Sequence, residues 1–379
     1  MLKIKSKSQL PPGKKFNLKY FKKPFCSKEK SNFKRYETVK FKTNYFVNKS
    51  KKFNNIGKIL FISGPARNGN HILMSMLDGH PQIQCQPGED FFLREFISRA
   101  KENETKLVDK IKDLKNVNYI TQMSGAYTNK WKKLYLAWKN KKKIKSWSGQ
   151  QPINKSHISD FQDFVPKINY NAYEKNLINN LKNIKKGKTF LDFLKIYLES
   201  LSKLVPQKKN LVYKHIYIYS GLRRELFYLL EKTDNIICIC PIRKFESFYF
   251  SYAKSRFKTE KIKQKPLDEL WEHWRHKTID YLLLKKKYPK KIIFVKFEDL
   301  VSKNSSTAKK ICKKLKIKFS KKLNQATILS KPVKGNSSFA KTDNFKGRFY
   351  KDSIKKKFPK DILPKEYFEI LKKVHKQAL

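Results

Sequence analysis

The chain has no run of about 18 apolar residues, the length a membrane-spanning helix needs. Its start, MLKIKSKSQLPPGKKF, carries charge but no apolar core of the signal-peptide kind, so a cytoplasmic setting is expected. Cysteine is scarce. Five thiols, at 26, 85, 238, 240 and 312, are too few and too scattered for a disulfide scaffold, and no CxxC or paired-histidine spacing offers a metal site. Arginine is scarce too: only ten of the 88 basic residues are arginine, although the net charge is +57. The lysines run along the whole chain, and with abundant Asn and Ile they read as an AT-rich coding bias. Specific nucleic-acid binders cluster arginine on one face, so the charge reads as a solvated surface. A nucleic-acid-binding protein is kept as an alternative, because lysine also binds phosphate backbones through counterion release.

The 379 residues, 39% of them hydrophobic, are enough for one large domain or two ordinary ones. Residues 1–57 read as a basic extension, partly ordered. An apolar strand at Ile59–Ile62 leads through a glycine loop into a helix carrying Ile72, Leu73, Met76 and Leu77 on its inner face. Gly79 stands where a left-handed helix cap is common. Residues 100–188 form a polar insertion with Trp131, Tyr135, Trp138 and Trp147 among lysines, expected beside a ligand site. Beyond it, helix 189–205, strand 211–214, a helix around 220–232, strand 236–240, helix 244–256, long helix 267–288, strand 292–297 and a helix near 303–315 alternate. Apolar strands alternating with helices predict an α/β fold around a parallel sheet.

Between strand and helix lies GPARNGNH, with Gly64 and Gly69 at the spacing of a phosphate-binding loop. Glycines let successive backbone N–H groups converge on an anion at a helix N-terminus. The nucleoside-triphosphate version ends in a lysine for the β- and γ-phosphates and a hydroxyl for Mg²⁺. Here Asn70 and His71 take those places, which argues against a P-loop-like kinase or NTPase, the other alternative considered. Arg67 supplies a cation from within the loop, and Asn68 and Asn70 supply amide donors. A second cluster starts at Arg243, just past a strand end, where α/β sheets bind ligands. Ser247 and Ser251 follow at i+4 and i+8, on one stripe of the next helix.

These segments resemble PAPS-dependent sulfotransferases, nearest in style to the glycan and protein-tyrosine branch. GPARNGNHILMSMLDGHP is similar to the family's 5′-phosphosulfate loop with its following HP turn. PIRKFESFYFSYAKSR resembles its 3′-phosphate motif, an arginine followed eight residues later by a serine, here Arg243 and Ser251. VKFEDLV resembles a family strand end, and GNSSFAKTDNFKGRFYKDS its C-terminal nucleotide segment. The resemblance spans 58–379 in outline. It implies a P-loop-like three-layer sandwich, a central parallel sheet with helices on both faces, and no metal. It also implies transfer of a sulfuryl group from PAPS to a hydroxyl or amine, possibly on a glycan, with PAP as product. The implied nucleotide residues are Gly64, Pro65, Ala66, Arg67, Asn68, Gly69, Asn70, His71, Arg243, Ser251, Ser337, Lys346, Gly347 and Arg348.

For catalysis the resemblance points to Arg67 and Lys214, the latter read at the end of strand LVYK, as cations on the departing phosphate oxygen. The base is Glu89 or His215. The family's histidine lies two residues after its lysine, whereas His215 is adjacent to Lys214, and neighbouring residues of an extended segment face opposite ways. RNGN in place of the family's RSGT removes hydroxyls from the cradle.

Overall fold

The computed structural model describes residues 58–85, 140, 169–182, 190–205, 208, 210, 212–217, 226, 230, 234–257, 261, 267, 270–271, 274, 277–278, 281–282, 284–285, 287–332, 349 and 354. The elements run β1 (Lys58–Ile62), α1 (Asn70–Asp78), β2 (Ile83–Cys85), α2 (Tyr170–Lys182), α3 (Phe190–Leu204), β3 (Tyr213–Tyr217), β4 (Ile236–Ile242) and α4 (Phe245–Phe257). After a helical stretch described between 267 and 287 come β5 (Ile292–Lys296), α5 (Phe297–Ser302), α6 (Asn304–Leu315) and the short pairing β6 (Thr327–Ile328) with β7 (Lys331–Pro332).

Strands β1 to β5 form one sheet in the order β2-β3-β1-β4-β5, and every pairing is parallel. Ile59, Leu60, Phe61 and Ile62 of the central strand all have 0% exposure. A strand covered on both faces needs a continuous apolar run rather than alternation, which is why KILFI reads as it does. Leu60 and Ile62 face a core shared with α1, α5 and α6. The opposite face carries α4 and the 267–287 stretch. There Ser63 and Tyr281 share a buried hydroxyl hydrogen bond of 2.7 Å, and Phe245 meets Trp271 and Trp274 edge-on. The result is a three-layer α/β sandwich. Helices α2 and α3 pack antiparallel, since Asn169 N donates to Leu204 O and Ser200 Oγ to Asn176 Oδ1.

The chain leaves β1 toward β2 and β3, but leaves β4 in the other direction, toward β5. Such a switch opens a crevice at the carboxyl ends of the two neighbouring strands, the usual ligand position in open α/β sheets. Gly64 and Arg243 both lie there.

The structure departs from two sequence expectations. Strand 211–214 is instead Tyr213–Tyr217, in register with all five residues of β1, so Lys214 pairs with Ile59 and His215 with Leu60. Lys214 is therefore not a strand-end residue. Pairing with β1 and with β2 carries the strand through a Lys-His step that hydropathy alone would end. Gly79 is right-handed, with φ −67°, rather than a left-handed cap. Glycine is needed there for space, because a Cβ would fall 2.9 Å from the carbonyl oxygen of Lys322.

The far end of α1 is firmly bound. Asp78 accepts from Thr327 Oγ1 at 2.7 Å, Leu329 N at 3.1 Å and Ser330 N at 2.7 Å. Leu329 and Ser330 have positive φ of 50° and 63°, costly for non-glycine residues, and the carboxylate holds them in that turn. Lys208 Nζ donates to the carbonyls of Asp78, His80 and Ile83.

Candidate active site

The loop from Ser63 to Gly69 extends β1 by one bond, Ser63 N to Ile239 O at 3.1 Å, then turns through Asn68 N to Pro65 O at 3.2 Å. Both glycines are required by close approach. A Cβ on Gly64 would lie 2.8 Å from Asn70 Oδ1 and 2.9 Å from Pro241 O. One on Gly69 would lie 2.5 Å from the ring of Phe297, and Gly69 has φ +99°. Arg67 also sits in the left-handed region, at φ 64°. Strain of this kind in a non-glycine residue persists only where surrounding contacts hold it.

Asn70, at the position of the nucleotide-loop lysine, turns inward. Its Nδ2 donates to Gly64 O at 3.1 Å and Pro65 O at 3.4 Å, binding the loop's first half to the start of α1. The N-terminus of α1 has no side-chain cap. Its first N–H groups lack intrahelical partners and carry the positive end of the helix dipole. Asn68 is fully buried, yet neither its Nδ2 nor its Oδ1 has a hydrogen-bond partner among the described residues.

Arg243 stands just beyond β4. Its Nε donates to Ser247 Oγ at 3.0 Å and its Nη1 to Arg67 O at 2.9 Å. The guanidinium lies 3.9 Å from the centre of the Phe297 ring. Arg67 reciprocates, with Nη2 donating to Ser251 O at 3.5 Å. The two arginines thus bind the glycine loop to α4. Arg243 Nη2 has no partner among the described residues, although the residue is only 3% exposed. Burial pushes the guanidinium down to about 9, with nearby Arg67 adding to the effect and Glu298 opposing it. Such a group is short of negative charge, and a bound anion would supply it.

One comparison decides the family. The model of a family described as the sulfotransferase family matches residues 60–321, more than half of the chain. This chain belongs to the sulfotransferase family. Among solved structures, the sulfotransferase domain of the Synechococcus PCC 7002 olefin synthase is 14% identical. That match covers 84% of this chain and 94% of that domain, with TM-score 0.48. The sulfotransferase domain of the curacin biosynthetic pathway is 15% identical, over 84% of this chain and 98% of that one, with TM-score 0.44. A Mycobacterium avium sulfotransferase is 9% identical over 71% and 66%, with TM-score 0.34. No curated protein matches the chain.

In this sulfotransferase the glycine loop, Arg67, Asn68, Asn70, Arg243, Ser247 and Ser251 come together at one crevice. Pro65 and Ala66 form the loop's turn, and His71 is the second residue of α1. Ser247 does not face an anion as a free hydroxyl. It accepts from Arg243 and donates to Glu298 Oε1 at 2.9 Å. The backbone of Lys214 and His215 lies at the level of Ile59 and Leu60, short of Ile62 where the loop begins. Glu89, Ser337, Lys346, Gly347 and Arg348 lie outside the described residues, as do residues 1–57 and the four insertion aromatics. Sequence reasoning assigned no role to Phe297 or Glu298, although VKFEDLV was the segment that contained them. Their signal was an aromatic-acidic pair just past a strand end, at the mouth of the sheet.

Proposed function

We propose that this sulfotransferase takes a sulfuryl group from PAPS and delivers it to a hydroxyl or amine acceptor, a glycan hydroxyl being the acceptor class to try first, with PAP released. One observation carries the reading. The glycine loop and the Arg243 stripe form a single linked cradle in which buried donors, Asn68 Nδ2 and Arg243 Nη2, are left without partners among the described residues. An unsatisfied buried polar group costs about 1–3 kcal/mol, so a cradle holding two of them suits a ligand with an anion for each. The loop lacks the lysine and hydroxyl that Mg-nucleoside triphosphate chemistry uses, while Arg67 and the amides suit a nucleotide bound without metal.

PAPS supplies an activated sulfuryl group joined to its 5′-phosphate. In this chain the N–H groups at the start of α1, with Arg67, would hold that end and stabilise charge on the departing oxygen. Arg243 and Ser251 would hold the 3′-phosphate, and Ser337, Lys346, Gly347 and Arg348 would close on the nucleotide. Glu89, four residues past β2, would take the acceptor's proton, with His215 as the rival base. Lys214 would be the second cation on that departing oxygen.

The test is thermal. PAP at about 100 times its dissociation constant should add about 2.7 kcal/mol of stability and raise the melting temperature by several degrees without added metal. ATP with Mg²⁺ should do much less. A flat response to saturating PAP would overturn the donor assignment. Glu89→Gln should then keep PAP binding and lose turnover.

A further inference from the structure

Arg243 is held by more than the loop it touches. Glu298, the second residue of α5, accepts from Ser247 Oγ at 2.9 Å and from Lys244 N at 3.0 Å through one oxygen, Oε1. Ser247 in turn accepts from Arg243 Nε at 3.0 Å. A hydroxyl has one proton. Giving it to a carboxylate leaves a lone pair directed at Nε, and charge-assisted bonds are the stronger kind. The alternative acceptor for that proton, Lys244 O, is farther away at 3.3 Å. The preceding residue completes the bracket. Phe297 lies under the Arg243 guanidinium on one side and against Gly69 on the other, where no Cβ fits. Arg243 Nε and Nη1 are thereby committed, and the remaining nitrogen, Nη2, stays unpartnered among the described residues.

We propose that Glu298 is a positioning residue for nucleotide recognition. Acting through Ser247, it fixes the guanidinium of Arg243 so that Nη2 is presented to the 3′-phosphate, while Phe297 links that setting to the glycine loop. This rests on the PAPS reading above. It separates the two phosphates energetically: Glu298 and Ser247 serve the 3′ side alone, and Phe297 serves both.

The test compares PAP with AMP, which lacks the 3′-phosphate, by calorimetric titration of the full chain. Glu298→Ala should weaken PAP by about tenfold and AMP by less than about twofold. Ser247→Ala should do the same, and the double variant should lose little more, since both act through one bond chain. Glu298→Gln should recover most of the loss, because its amide oxygen still accepts both bonds. Phe297→Leu should weaken PAP and AMP together. Ligand-free melting of each variant identifies any that fails to fold, and Glu298→Gln and Ser247→Ala remain informative if Glu298→Ala does. A PAP-to-AMP ratio unchanged in Glu298→Ala and Ser247→Ala overturns the positioning role while leaving the donor assignment intact. A wild type that binds no PAP overturns the donor assignment and this role with it.

Discussion

The two ends of helix α1 are built in opposite ways. At its C-terminus Asp78 accepts three hydrogen bonds, and Lys208 satisfies three carbonyls that the turn would otherwise strand. At its N-terminus there is no side-chain cap. Among the described residues, Asn68 is buried with both polar atoms unpartnered, Asn70 Oδ1 lacks a donor, and Arg243 Nη2 has no acceptor. The same nine-residue helix is thus saturated at one end and incomplete at the other. A fold that tolerates orphaned groups gives up stability, and it does so where a ligand can complete them. The saturated end supplies the rigidity that keeps the incomplete end in shape.

That contrast can be broken by substitution at either end. The largest expected effect is on folding. Asp78→Ala strands three donors and should cost about 3 kcal/mol in urea unfolding, with PAP affinity changed less than about twofold. If PAP binding collapsed while stability held, the two ends would not be separable. Next comes Arg243→Met, which keeps an apolar stem against Phe297. PAP affinity should fall about a hundredfold while the melting temperature changes little, because relief of the buried cation offsets the loss of its two hydrogen bonds.

The wild type carries a pH signature of the same arginine. Burial holds its pKa at about 9 in the free protein, below the ordinary 12.5. Between those values the unfolded chain binds more protons than the folded one, so the burial penalty is complete below pH 9 and fades above it. A phosphate at Nη2 raises the pKa again. PAP binding should therefore take up protons near pH 9 and none near pH 7, read from binding enthalpies in two buffers, and Arg243→Met should abolish the uptake. The smallest effect belongs to Asn68→Ala. It removes two orphaned atoms and should raise stability by about 1 kcal/mol while weakening PAP a few-fold. A destabilised Asn68→Ala would mean that the amide serves the fold and not the ligand.

Much of the crevice was legible in one dimension. Gly64 and Gly69 stood at loop spacing, and the structure gives each a neighbour that excludes a side chain. Arg243 with Ser247 and Ser251 was legible as a helix stripe, since i+4 and i+8 follow from helical geometry alone. The polarity of that stripe was not legible. Whether Ser247 offers its hydroxyl to a ligand or to Glu298 depends on a residue 51 positions away. The placement of Lys214 within its strand, rather than at a strand end, was not legible for a related reason. The hydropathy of LVYK ends at the lysine, but a strand paired on both sides continues as long as its neighbours do. Asn70 was read as a donor to ligand, and its amide instead ties down Gly64 and Pro65.

Local chemistry was enough to determine the parallel α/β class, the glycine loop between strand and helix and the lack of the lysine and hydroxyl on which Mg-nucleotide chemistry depends. These follow from periodicity and residue type, which short segments carry by themselves. Only the tertiary structure decided which polar atoms remain unsatisfied, because that balance is set by partners far apart in sequence. Arg67 meets Ser251, Arg243 meets Arg67, and Ser247 meets Glu298 across the mouth of one sheet. Whether a buried donor is structural or waits for a ligand depends on what the rest of the fold leaves unpaired.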